Sequence, residues 1–420
     1  MTTEEVADAI RHAPARAALF GPRARYGWRT IALSIGYVAL YLALDRLSFI
    51  GALHGIGITP WSPTAGLAMA LLIIKGFRYA PLIMAGELLS GAMLPTSSPP
   101  AIPIFLGSAV VTAGYMGVVT VLRQVGFRAD LRRGSDVVLL LIATIIGSGL
   151  VASGFVGSYA VTEVIPWSDY AQAGYHYWIG DAIGIVVLLP PLLLLYERIK
   201  RGEPPVQRWG SFHLGETTAQ AASVVLALAV VFSGMGGDHP LGLFYVLFPP
   251  LIWIAMRHGL PAASWAVLGI QVGIIVGLQT QDHMGLTLRA FQLFMFALAA
   301  TGLMLGAIVS ERRRLSLALI NSEGLRTAIL NTVPDGVLTI DARGVIQSIN
   351  PAVETLFSRP SHRLIGQDLS KLIEDAPDLL PRLKLAIHPP ASQARCWELD
   401  ARRRTELHSP SNSAPAASTF

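Results

Sequence analysis

Four ionisable side chains lie inside apolar runs: Asp45 and Arg46 within residues 30–50, Glu87 within 80–94 and Asp181 within 177–196. A charge kept from water is costly, so such residues turn toward one another, toward backbone or toward a water-filled space, and they often mark ion or ligand paths. Asp45 and Arg46 are adjacent and near the end of their run, which fits a structural ion pair. Glu87 sits in Ala85-Gly86-Glu87-Leu88, and Asp181 sits in Tyr177-Trp178-Ile179-Gly180-Asp181-Ala182-Ile183-Gly184. The glycines permit close approach of helices, and Pro190-Pro191 beyond them is expected to open a break that exposes backbone acceptors. Two roles stay open for Glu87 and Asp181: hydrogen-bonding glue between helices, or a site that takes a ligand or a proton. Trp61, between Pro60 and Pro63, is either an interfacial anchor or the rim of a pocket mouth. Trp178, three residues before Asp181, joins the ligand-site candidates.

Other chemistries lack their residues. The ten histidines are scattered without the spacing of a metal site, and the one cysteine, Cys396, cannot form an intramolecular disulfide. No glycine-rich phosphate loop with its lysine appears, nor a Gly-Gly-Asp-Glu-Phe turn or a kinase phospho-acceptor histidine with its glycine boxes. We read no enzyme in these 420 residues, and the sequence names no cofactor.

The elements that must hold the four ionisable groups are membrane helices. The chain is 52% hydrophobic and only 14% charged, with mean hydropathy +0.52, against about 25% charged in ordinary globular domains. Apolar runs on the scale of the roughly 20 residues that cross a bilayer occur at 30–50, 63–75, 80–94, 102–122, 137–158, 177–196, 218–235, 241–256, 262–280 and 290–309. The fold expected is an all-α polytopic bundle of about ten transmembrane helices, or eight if two short segments are re-entrant. Basic residues alternate along the connections. Lys75 and Arg78, then Arg123, Arg128, Arg132 and Arg133, then Arg198, Lys200, Arg201 and Arg208, and finally Arg257 fall in every second one. The intervening connections carry Glu163, Asp169, Asp238 and Asp282 instead. Positive charge stays on the cytoplasmic side during insertion, so a bacterial inner-membrane protein with both termini cytoplasmic is expected. The basic residues around Arg11–Arg29 precede no cleavable apolar core, so no signal peptide is read. Because the basic residues follow topology, no nucleic-acid partner is expected.

Three motifs in order add a resemblance. Trp61-Ser-Pro-Thr-Ala-Gly66, Trp178-Ile-Gly-Asp181-Ala-Ile-Gly184 with Leu189-Pro190, and Phe248-Pro249-Pro-Leu-Ile-Trp253 through Arg257-His-Gly259 resemble the first membrane-associated sensor (MASE) family, as does Phe291-Gln292-Leu-Phe294 followed by Glu311-Arg312-Arg313. The likeness covers roughly residues 30–315. It implies a bacterial sensor module placed ahead of histidine kinase or diguanylate cyclase outputs (two-component or cyclic di-GMP signalling), and it names no ligand. A transporter of a small solute or ion is the alternative, since acidic residues and broken helices also serve transport.

Beyond the last apolar run, Arg312–Arg314 would meet anionic headgroups, and Leu315, Leu319 and Ile320 continue a helical pattern. We expect a linker helix over 310–330 that joins two copies as a homodimer. Gly336-Val-Leu-Thr-Ile340 and Gly344-Val-Ile-Gln-Ser-Ile349 flank the turn Asp341-Ala-Arg-Gly344, a hairpin by its residues. Asn350-Pro351 then caps and opens a helix. These segments, with Leu364-Ile-Gly-Gln-Asp-Leu369, resemble the opening of a PAS domain over about 323–403. That resemblance implies three further strands, for which only Arg395–Arg402 is a candidate. The tail from Thr405 reads as disorder. Back-translated from Arg404 and read in another frame, it yields a turn and strand that suit a PAS domain, so a frame shift is expected there. The organisation expected is 1–29 cytoplasmic, 30–309 sensor bundle, 310–330 linker, 331–403 a short, incomplete α+β PAS-like segment and 404–420 tail. The function expected is reception of an unknown small-molecule or ion stimulus within the lipid bilayer and its passage to an output domain outside this chain.

Overall fold

The computed structural model describes residues 27–48, 61–93, 100–203, 214–233, 243–279, 288–341, 343–369 and 383–387. The chain divides into two compact units, Met1–Arg313 and Arg314–Phe420. Each of the ten apolar runs overlaps a helix: α1 Trp28–Ser48, α2 Pro63–Lys75, α3 Ala80–Ala92, α4 Ala101–Gln124, α5 Gly134–Val161, α6 Tyr170–Lys200, α7 Leu214–Val231, α8 Phe248–His258, α9 Leu260–Gln279 and α10 Leu288–Thr332. Six are long and apolar enough to cross a membrane, namely α1, α4, α5, α6, α9 and α10, while α2 and α7 are shorter apolar helices.

The first unit is organised around α2 and α6, which pack against each other extensively. α2 is buried from Pro63 to Leu72, and α6 from Ile179 to Pro191. Small residues make that approach feasible, as helix pairs without a hydrophobic drive in lipid require. A Cβ on Gly66 would stand 2.5 Å from the Gly184 carbonyl oxygen, and Ser62 N donates to Gly180 O at 2.9 Å. The expected break at Pro190-Pro191 is not found: both prolines lie inside one helix, Tyr170–Lys200. Membrane helices tolerate proline where neighbouring helices surround the freed backbone, and here both prolines are buried.

A series of contacts gathers the basic connections at one end of this unit. Arg123 donates to Leu72 O at 2.9 Å and holds its guanidinium 4.6 Å from the Phe77 ring centre. Glu311 accepts from Gly134 N at 3.0 Å. Arg313 donates to Arg257 O, and Arg257 pairs with Glu216 at 2.7 Å. The turns after α2 and α8 share a device, since Gly76 and Gly259 take φ of +91° and +73°, the left-handed region open to glycine.

In the second unit, β1 Gly336–Ile340 pairs antiparallel with β2 Ile346–Ile349 and parallel with β3 Leu383–Ile387, giving the order β2-β1-β3. The hairpin turn is the one the residues indicate: Asp341 accepts from Val345 N and Arg343 N, both at 2.9 Å. Asn350 caps α11 Pro351–Phe357 and also accepts from Val337 N at 2.8 Å. A short α12, Ser361–Leu364, follows, and Leu338, Ile346, Val353 and Leu364 form a small core. The expected strand at Arg395–Arg402 and the tail lie outside the described residues.

Candidate functional site

Side chains from α1 through α6 surround a polar cavity of about 80 Å³. Helical spacing explains how each element delivers its share, because residues three and four apart stack on one face. α1 presents Tyr41, Asp45 and Ser48, α3 presents Glu87, Ser90 and Gly91, and α6 presents Tyr177, Gly180 and Asp181. Ser62 and Thr64 from the start of α2, Ser108 from α4, and Phe155 and Tyr159 from α5 complete the wall. Glycine beside the acid matters locally, for a Cβ on Gly86 would lie 2.8 Å from the Tyr41 ring.

Glu87 and Asp181 therefore face one space, and each carboxylate is gripped by a tyrosine. Tyr41 donates to Glu87 Oε1 at 2.5 Å, and Tyr115 of α4 donates to Asp181 Oδ2. Asp181 is only 2% exposed. The Phe155 and Tyr177 rings stack at 4.3 Å along the same wall. Three carboxylates, Asp45, Glu87 and Asp181, stand against one guanidinium, Arg46. Such a lining favours protons, inorganic cations or small protonated amines over anions. Among the described residues, no three His, Cys, Asp or Glu side chains gather closely enough to hold a metal ion.

Asp45 and Arg46 line the cavity but do not pair with each other, because consecutive helical residues point in different directions. Ser90 donates to Asp45 Oδ2 at 2.7 Å, and Arg46 donates to Met93 O at 2.8 Å, so both tie α1 to the end of α3. The tryptophans stand outside the cavity. Trp61 is 1% exposed and packed in the core. Trp178 donates from Nε1 to Ile145 O at 2.8 Å and lines a separate cleft with Gly149 and Tyr175. The sequence reading passed over Tyr41 and Tyr115. The signal available was a tyrosine inside an apolar run, whose hydroxyl needs a partner once buried. It also passed over a link between α6 and α10: His176 Nδ1 and Gln292 Oε1 are 2.8 Å apart, and Gln292 Nε2 donates to His176 O at 3.1 Å.

The chain belongs to the MASE1 family, whose model matches residues 25–313. A PAS fold matches residues 324–408. The protein is thus a multi-pass membrane protein that joins two sensory domains. The signal transduction histidine-protein kinase AtoS of Escherichia coli (strain K12) is 31% identical over 84 residues, which make up 20% of this chain and 14% of that kinase. No solved structure matches.

Proposed function

We propose that this chain is the receiving part of a bacterial inner-membrane signalling protein, and that the cavity between Glu87 and Asp181 is where a proton, cation or small cationic solute acts. The observation carrying this reading is the pair of tyrosine–carboxylate contacts whose acids, Glu87 and Asp181, both line one polar space. A ligand that binds one arrangement of α1–α6 better than another shifts their populations by its differential affinity. The His176–Gln292 link ties α6, which carries Asp181, to α10. α10 passes the shift to the PAS domain and to an output outside this chain. The kinase relative favours a histidine kinase output, with a diguanylate cyclase as the other.

In this reading all ten helices cross, both termini are cytoplasmic, and residues 1–29, 30–309, 310–330, 331–403 and 404–420 are the working divisions. The gathering of the basic connections at one end supports an even number of spans. Leu315, Leu317, Leu319 and Ile320 are exposed, and a second copy of the chain covers them in a homodimer. No nucleic-acid partner enters.

The test uses the protein with its output domain attached, reconstituted in proteoliposomes. Output is recorded over steps of pH, Na⁺ and K⁺, together with ion flux. A change in output without net flux supports reception. Net flux with constant output would make the bundle a transporter.

A further inference from the structure

A second cavity, separate from the acidic one, opens among α6, α7, α8 and α9 with a volume of about 720 Å³. That is within the roughly 300–1,000 Å³ usual for ligand sites. Its chemistry is divided along its length. At one end stand Arg198, Thr217, Gln220 and His258, and from there the lining is apolar past Trp265 to Leu228 and Ile270. All four polar residues come from matching helix ends: the last turns of α6 and α8 and the first turns of α7. They share that end with the Arg257–Glu216 pair.

Two hydrogen-bond donors there have no acceptor among the described residues. Gln220 is 4% exposed. Its Oε1 accepts from His258 Nε2 at 3.0 Å, but its buried Nε2 has no partner. Arg198 Nε is likewise buried without a hydrogen bond, and it meets Glu203 Oε2 only at 3.9 Å. A buried donor left unmade costs about 1–3 kcal/mol, so an acceptor-rich group belongs at this end, and the guanidinium selects a negative one. The apolar slot indicates the remainder of the molecule. From Thr217 to Leu228 it runs about 17 Å along α7, at 1.5 Å rise per residue. This is close to half of the about 30 Å hydrocarbon thickness of a bilayer. Space is also left beside α9, where a Cβ on Gly269 would touch nothing within 4 Å.

We propose that this groove is a binding site for one anionic phospholipid of the adjoining leaflet, with its phosphate on Gln220 Nε2 and Arg198 and one acyl chain laid between α7 and α9. The site is independent of the Glu87–Asp181 cavity. Native mass spectrometry of the full chain in detergent tests it, with phosphatidylglycerol, phosphatidylcholine of the same acyl chains, and the free fatty acid as probes. One phosphatidylglycerol should be retained at least tenfold over either competitor. Gly269→Leu, which fills the slot, should reduce that retention about tenfold, and Arg198→Gln, which removes the guanidinium, should erase most of the preference for phosphatidylglycerol. Arg198→Gln decides the matter if Gly269→Leu fails to insert. Equal retention of the three probes, or phosphatidylglycerol binding that both variants leave unchanged, overturns the proposal.

Discussion

The carbonyl of Ser62 lies against the Cα of Gly184, so close that any side-chain carbon at residue 184 would overlap it. This contact sets the spacing of α2 and α6, on which both Ser62 and Asp181 depend for their places in the acidic cavity. Gly184→Ala should force the helices apart. Overpacking of this kind costs about 1–3 kcal/mol, read as a lower melting temperature of the detergent-solubilised protein. Gly174→Ala, on the same helix but with open space around it, should leave melting unchanged or slightly raised, since alanine favours helix over glycine by about 1 kcal/mol. Equal melting of the two variants would remove the close approach from the account.

The tyrosine–carboxylate contacts should be energetically coupled. In a double-mutant cycle of Tyr115→Phe with Asp181→Ala, the coupling expected is about 0.6–2 kcal/mol, the range of hydrogen bonds between membrane helices. Tyr41→Phe with Glu87→Ala should behave alike. Reversible unfolding in mixed detergent measures both, and additive single effects would contradict the contacts.

In the second unit the relevant carboxylates lie outside the membrane. The Val345 N–H, followed by that of Arg343, holds Asp341 below its usual 3.8. The Ser361 hydroxyl and N–H hold Glu354 below its usual 4.5. A depressed pKa means that the folded form binds fewer protons than the unfolded one. These contacts therefore stabilise fully above the ordinary values, and their contribution is lost as pH falls through the folded ones. In ¹H–¹⁵N spectra of the full chain, the Val345 and Ser361 amide signals should hold steady from about pH 7 to about pH 5 and be lost only below about pH 4. Asp341→Asn should remove the acid sensitivity of the hairpin. Loss of both signals near pH 6 would contradict this assignment.

Orientation has its own test. Reporter fusions after Arg208 and Arg314 should be active only as cytoplasmic reporters, and fusions near Ser97 and Trp167 only as periplasmic ones. Either pair reversed would invert the proposed topology, since basic connections remain inside.

Much of the architecture was legible because apolar helices announce themselves by unbroken length: all ten runs fall at least partly on helices, six of them long and apolar enough to cross a membrane. The hairpin at Asp341–Gly344 and the cap at Asn350 were legible for a different reason: turn and cap chemistry acts within a few residues. What the sequence could not display is which side chains meet across helices. Glu87 and Asp181 stood out as isolated acids, but their tyrosine partners lie 46 and 66 residues away. Trp61 reads as an interfacial residue by its prolines, yet it is buried, because α2 is enclosed by its neighbours. Asp45 and Arg46 look paired only until the helix turns them apart. The groove at Gln220 carried no signal, since an isolated glutamine in an apolar run resembles any other polar contact.

In the proposed function Glu87 and Asp181 receive the stimulus. Glu87→Gln and Asp181→Asn keep size and hydrogen bonding but remove the charge. The most direct measurement is the output of the protein with its output domain attached, recorded for each variant over the same steps of pH, Na⁺ and K⁺. Membrane insertion is checked in parallel. A differential affinity of about 1.4 kcal/mol shifts a two-state balance tenfold, so each variant should flatten the response at one fixed level while inserting normally. If both variants insert normally and respond as the parent does, the carboxylates only hold helices together and the claim is wrong.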